Sequence, residues 1–202
     1  MKRLLVSAGL LLILSAAYAK KFPGYVITLK NDTITLLIKV PGIITPSFGG
    51  KVDDVGTVDS LGTSKTYDST TIKEFGYTRD SAEHIFKFRP TQNGRTYFLE
   101  EIIGGPKANM YQYEWVYKQS VEQFYTFEKS TGEFLFLKNY DKLETLRNKL
   151  SAFYGDTPEI TEFISKRFTG RGRIQKDISE ILNKVNGPST VDYFKNAGTG
   201  LF

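Results

Sequence analysis

Tyr111-Gln112-Tyr113-Glu114-Trp115-Val116-Tyr117-Lys118 decides the reading of this chain. Side chains alternate along a strand, so Tyr111, Tyr113, Trp115 and Tyr117 fall on one face, whereas a helix would scatter them around its girth. Val121–Glu128 and Glu133–Leu137 continue the pattern, with Ser130-Thr131-Gly132 as a turn. Connections this short join antiparallel strands.

Upstream, Gly24–Lys30 and Thr33–Val40 are β-branched runs separated by Asn31-Asp32, a pair that suits the left-handed conformations of a hairpin turn. Pro41-Gly42 stops the second run. Thr71–Tyr77, His84–Arg89 and Arg95–Ile103 are further strand-like runs, the last two flanking the turn signal Asn93-Gly94. The expected architecture is an antiparallel β meander or partly closed barrel of about eight or nine strands. Residues 41–65, rich in Gly, Ser, Thr and Asp, are expected to form a long connection.

Near Asp141 the period changes from two to that of a helix. Asp141 with Glu144 makes a capping-box-like start, and Leu143, Leu146, Leu150 and Phe153 form an apolar stripe. Asp156-Thr157-Pro158-Glu159 repeats the start signal, with Pro158 in the first turn, where its missing N–H costs nothing. Ile160, Phe163, Ile164 and Phe168 supply the second buried face. Ile174, Ile178, Ile181, Leu182 and Val185 stripe a third helix, which Gly187-Pro188 ends. Three amphipathic helices need an apolar surface to cover, which gives an α+β layering. The aromatic stripe is the expected surface. Residues 20–187 then form a single α+β domain, β-rich over 24–140 and helical over 141–187, with 188–202 as a C-terminal tail.

Residues 1–19 have the form of a cleavable signal peptide. Lys2 and Arg3 precede an apolar run from Leu4 to Leu14, and Ala17-Tyr18-Ala19 gives the small-x-small cleavage pattern. The run is shorter than the ~20 residues that cross a bilayer core, so no transmembrane segment is expected after cleavage, and the expected location is periplasmic or extracellular. The chain holds 27 Lys+Arg against 22 Asp+Glu, and without Lys2 and Arg3 the balance is 25 against 22. That mild, dispersed excess is not a nucleic-acid footprint. With no cysteine there are no disulfides, thiolate nucleophiles or cysteine-ligated metals.

Residue patterns with chemical potential are few. His84, the one histidine, has no recognisable catalytic partner in the local sequence and reads as structural. Glu100 and Glu101 are neighbours on a strand-like run and point to opposite faces, so they do not converge as an acid/base pair. Asp53-Asp54-Val55-Gly56-Thr57-Val58-Asp59 lacks the ligand spacing of a calcium loop. Gly170-Arg171-Gly172-Arg173, flanked by Lys166, Arg167 and Lys176, reads as a solvated linker, with an anionic glycan, lipid or acidic protein as the alternative. No catalytic, cofactor-binding or metal-ligating residue is assigned. The candidate ligand-binding residues are Tyr111, Tyr113, Trp115 and Tyr117, which form either core or a platform that stacks sugars or grips a peptide.

Gly24-Tyr25-Val26-Ile27-Thr28 followed by Asn31-Asp32-Thr33-Ile34 resembles the opening hairpin of a family of exported proteins common in the Bacteroidota. Ile72-Lys73-Glu74-Phe75-Gly76-Tyr77, Asp156-Thr157-Pro158-Glu159-Ile160 and Val185-Asn186 are similar to that family's later motifs. Asn31 stands where its turn has Gly, and residues 42–63 look like an insertion. The resemblance implies an envelope location and a sheet-then-helices order, and no activity. The expected function is a non-enzymatic binding or scaffolding module of the cell envelope, with an envelope protein or glycan as partner and no nucleic acid. The alternatives are a small apolar-ligand carrier with a β-barrel pocket and an envelope hydrolase. An integral outer-membrane barrel fits less well, since Gly198-Thr199-Gly200 before Phe202 break the required alternation.

Overall fold

The computed structural model describes residues 19–42, 50–117 and 120–192. The leader-like stretch up to residue 18, the middle of the 41–65 stretch and the end of the tail fall outside these residues, as does the side chain of Tyr117.

The β-rich part forms a sheet of twelve strands. They are β1 (Ala19–Thr28), β2 (Thr33–Pro41), β3 (Lys51–Val52), β4 (Asp54–Val58), β5 (Ser64–Asp68), β6 (Ile72–Arg79), β7 (Ala82–Pro90), β8 (Thr96–Gly104), β9 (Ala108–Tyr117), β10 (Ser120–Lys129), β11 (Phe134–Lys138) and β12 (Val191–Asp192). The eight expected runs are all strands. β3, β4, β5 and β12 are additional, and the first three correct the expectation of a loop over 41–65. Their polar composition hid them, because β4 and β5 pair at the sheet edge and bury little besides Val55, Thr57, Val58 and Tyr67.

The order is β11-β10-β9-β8-β7-β6-β1-β2-β4-β5, with antiparallel pairing throughout. β11 and β5 stand at opposite ends, so the sheet is an open meander and the partly closed barrel is corrected. The β1–β2 hairpin turns at Asn31, whose φ is 71°, a conformation that Asn tolerates better than most residues.

Three helices follow: α1 (Leu143–Tyr154), α2 (Pro158–Ser165) and α3 (Ile174–Asn186). Thr157 caps α2 by accepting the Ile160 N–H at 3.3 Å, with Pro158 in the first turn as expected. Gly187 closes α3 with a φ of 72°. Two details differ. Asp141 does not cap α1; its carboxylate accepts the Lys138 N–H instead. Phe168 lies beyond α2, in a left-handed conformation with φ of 60°, yet it is buried.

Residues directly opposite each other on antiparallel strands share a face. Met110 opposes Phe127 and Gln112 opposes Tyr125, and this is the face the helices cover. Ile103, Ala108, Met110, Tyr125, Phe127 and Leu137 pack there against Leu146, Leu150, Ile164, Ile178 and Leu182. A second core, built from Val26, Ile38, Val55, Ile72, Phe75, Phe86 and Phe98, fills the N-terminal half of the sheet. The aromatic stripe points the other way. Tyr111 opposes Thr126, Tyr113 opposes Phe124 and Trp115 opposes Glu122, all on the face away from the helices. The expectation that the helices bury the stripe is therefore corrected: they cover Ala108 and Met110 of β9 instead.

Candidate binding cleft

The stripe is covered by the sheet itself. β8 has a register break between Glu101 and Ile103, and β9 pairs with it only from Glu100 to Ile103. Bulges of this kind bend a strand and raise its twist. Past the break β9 leaves β8, and β3 takes the vacated edge, with Lys51 opposite Leu99 and Val52 opposite Phe98. Gly50 sits in the fork with a φ of 70°; a Cβ there would lie 2.5 Å from the Gln112 carbonyl oxygen. Only glycine fits that approach.

The bend brings distant strands together on the stripe's face. Arg89 of β7 donates from Nε to Glu128 of β10 at 2.7 Å, and the Tyr111 hydroxyl donates to the same carboxylate oxygen at 2.7 Å. Lys87 pairs with Glu101 alongside, at 2.6 Å. The β7–β8 turn also leans over β9 and β10: the Gln92 N–H donates to the Tyr113 hydroxyl at 3.3 Å, and Thr126 Oγ1 donates to the Pro90 carbonyl at 3.2 Å.

A cleft of about 320 Å³ opens where this turn meets the stripe. Thr91, Gln92, Asn93, Tyr113, Trp115, Glu122 and Phe124 line it. The Tyr113 and Phe124 rings stack at 5.3 Å and 13°. Trp115 is half-buried, and the Lys51 ammonium lies 3.9 Å from its ring and 4.7 Å from that of Tyr97. At the rim, the Tyr140 hydroxyl donates to Glu122 at 3.3 Å and its ring meets Phe124 edge-on. Burial raises the Tyr113 phenol above its ordinary range, so it stays protonated.

The four sequence-predicted residues are thus divided. Tyr111 is wholly buried as a donor to Glu128. Tyr113 and Trp115 line the cleft, and the side chain of Tyr117 lies outside the described residues. Thr91, Gln92, Asn93, Glu122 and Phe124 were missed. Asn93-Gly94 was legible as a turn, but no local pattern says that the turn folds over Tyr113.

The structure adds partners to the other constellations singled out in the sequence. His84 does have a carboxylate partner: Nδ1 lies 2.7 Å from Glu100 Oε1, and the ring stacks on Tyr77 at 4.7 Å. The pair was illegible because it joins neighbouring strands sixteen positions apart. Glu100 and Glu101 do diverge, one toward His84 and the other toward Lys87. His84 Nε2 and Gln112 Oε1 are buried without a hydrogen-bond partner among the described residues. The basic stretch at 166–176 is largely neutralised, with Arg167 and Lys176 on Glu180, Arg173 on Asp177 and Lys166 on Glu162. Among the described residues, no group of three or more potential metal-ligating side chains occurs, and no helix is long and apolar enough to cross a membrane.

Compared with protein families, curated proteins and solved structures, the chain shows no match to any of them.

Proposed function

We propose that this chain is a non-enzymatic binding module of the cell envelope and that its cleft at Trp115 takes a neutral sugar. The observation that carries the reading is the lining: three aromatic rings, two amide side chains and one carboxylate in one concave site. A sugar ring has an apolar C–H face and a rim of hydroxyls. Aromatic walls match the face, while carboxylate and amide groups match the rim. Lys51 argues for neutrality, because its ammonium already occupies one face of the indole. A second cation on the far face would be repelled by about 1 kcal/mol at a separation near 8 Å and intermediate polarity. The export-like residues 1–19 support an envelope setting. The carrier alternative needed a closed barrel, and the sheet is open.

Trp115 is the chain's one tryptophan, so its fluorescence reports the cleft directly. Titration with neutral oligosaccharides should shift and saturate its emission, with calorimetry giving the same Kd. Trp115→Ala should weaken binding at least tenfold while the protein stays folded. A panel of hexose, N-acetylhexosamine and pentose oligomers that leaves both signals unchanged would sink the reading.

A further inference from the structure

The polar groups of the cleft are sorted by direction. Asn93 Oδ1 is held by its own turn, 2.6 Å from Thr91 Oγ1 and 3.1 Å from the Arg95 backbone nitrogen. A backbone N–H only donates, so the oxygen of Asn93 must face it, and the amide nitrogen is the end left over. Neither hydrogen on that nitrogen has a partner among the described residues. The Tyr113 hydroxyl, in the same lining, accepts from the Gln92 N–H and keeps its own proton to give. On the opposite strand, Glu122 is an acceptor with one oxygen engaged by Tyr140. The lining of the cleft therefore offers two donors, the Asn93 amide and the Tyr113 hydroxyl, an acceptor in Glu122, and the apolar rings of Trp115 and Phe124.

Two donors suit an oxygen with two open lone pairs, and a carbonyl supplies both without bringing a proton that needs an acceptor of its own. The apolar walls call for a small apolar group close to it, and the acceptor calls for hydroxyls. We infer that the cleft selects an N-acylated amino sugar, whose acetamido carbonyl accepts from Asn93 Nδ2 and the Tyr113 hydroxyl, whose methyl lies against the rings, and whose hydroxyls donate to Glu122. This rests on the sugar-binding reading and names its substrate class.

The test compares three trisaccharides on the full chain by calorimetry: β-1,4-linked N-acetylglucosamine, its deacetylated counterpart, and β-1,4-linked glucose. The acetylated trimer should bind at least tenfold tighter than either of the others. Asn93→Asp keeps the oxygens that Thr91 and Arg95 need but removes the free N–H group. It should bring the acetylated and glucose trimers to within twofold of each other and leave the melting temperature unchanged. Tyr113→Phe, which keeps the ring, should reduce the same preference and serves if Asn93→Asp does not fold. Equal binding of the acetylated and glucose trimers overturns this inference and leaves the sugar-binding reading standing. Tighter binding of the deacetylated trimer also overturns it, and binding of none overturns both.

Discussion

Arg89 and Glu128 meet at 2.7 Å although β8 and β9 lie between the strands that carry them. Adjacent strands are ~4.8 Å apart, so a flat sheet would hold these backbones roughly 14 Å from each other. The pair therefore measures the bend that makes the cleft. Glu128→Gln should cost about 1–3 kcal/mol, since it leaves a partly buried guanidinium without its counter-charge. Urea denaturation checks the cost. Weaker sugar binding by the folded variant would show that the bend shapes the cleft.

Asn186 should prove as important to stability as a core residue. Its side-chain oxygen accepts the Lys107 and Ala108 N–H groups at 3.0 and 2.8 Å, and its nitrogen donates to the Ala108 carbonyl at 2.8 Å. The clip fastens the end of α3 to the β8–β9 turn, and a Cβ on Gly105 would lie 2.3 Å from the Asn186 Cγ. Asn186→Ala strands buried backbone groups at a cost of about 1–3 kcal/mol. The expected readout is a lower Tm with faster hydrogen exchange at Ala108.

Asp177 plays a similar part for the α2–α3 connection. Buried at the start of α3, it accepts the Phe168 N–H at 2.6 Å and so holds Phe168 in its left-handed conformation. Asp177→Ala should destabilise by at least about 1–3 kcal/mol, because that N–H loses a charged acceptor. Chemical denaturation would show it, and a loss below 0.5 kcal/mol would mean that the contact is dispensable.

Alkali should expose the tyrosine cores. Burial raises the phenols of Tyr77, Tyr111 and Tyr154 far above their ordinary value, and that of Tyr125 to about 12. A raised folded value means that the unfolded chain gives up its proton first. The stability these phenols contribute is full below pH ~10, and for Tyr125 it is lost as pH rises toward 12. Absorbance at ultraviolet wavelengths should show exposed tyrosines ionising near pH ~10 and the buried ones only with the alkaline unfolding transition. Ionisation of every tyrosine in one step near pH 10, with the fold intact, would contradict the burial.

The helical third should depend on the sheet. Leu146, Leu150, Ile164, Ile178 and Leu182 bury themselves against β8, β9, β10 and β11, so a fragment of residues 141–202 loses the surface they cover. Circular dichroism should show weak helicity and no cooperative melt.

Much of the architecture was legible in local patterns. Alternation and β-branched runs marked eight of the twelve strands, Thr157-Pro158 the start of α2 and Gly187 the end of α3, because each signal acts within a few residues. The cleft was legible only in Tyr113 and Trp115. Glu122 and Phe124 sat unmarked in a readable strand, and Thr91, Gln92 and Asn93 in a readable turn. β3 was invisible, since two residues have no period and their pairing with Leu99 and Phe98 spans almost fifty positions.

By itself the sequence determined that Tyr111, Tyr113 and Trp115 share one face of β9, while the extension of the strand back to Ala108, which puts Ala108 and Met110 on the other face, came from the structure. Tertiary structure alone decided which of them the helices cover. Alternation within the marked run favoured the aromatic face, because Gln112 and Glu114 lie opposite it and the apolar Ala108 and Met110 come before the run. The choice follows from the sheet's bend at the β8 register break, where β3 enters and the β7–β8 turn swings over the tyrosines. That bend is a sum of small twists over four strands, and it folds the sheet's own residues over the aromatic face.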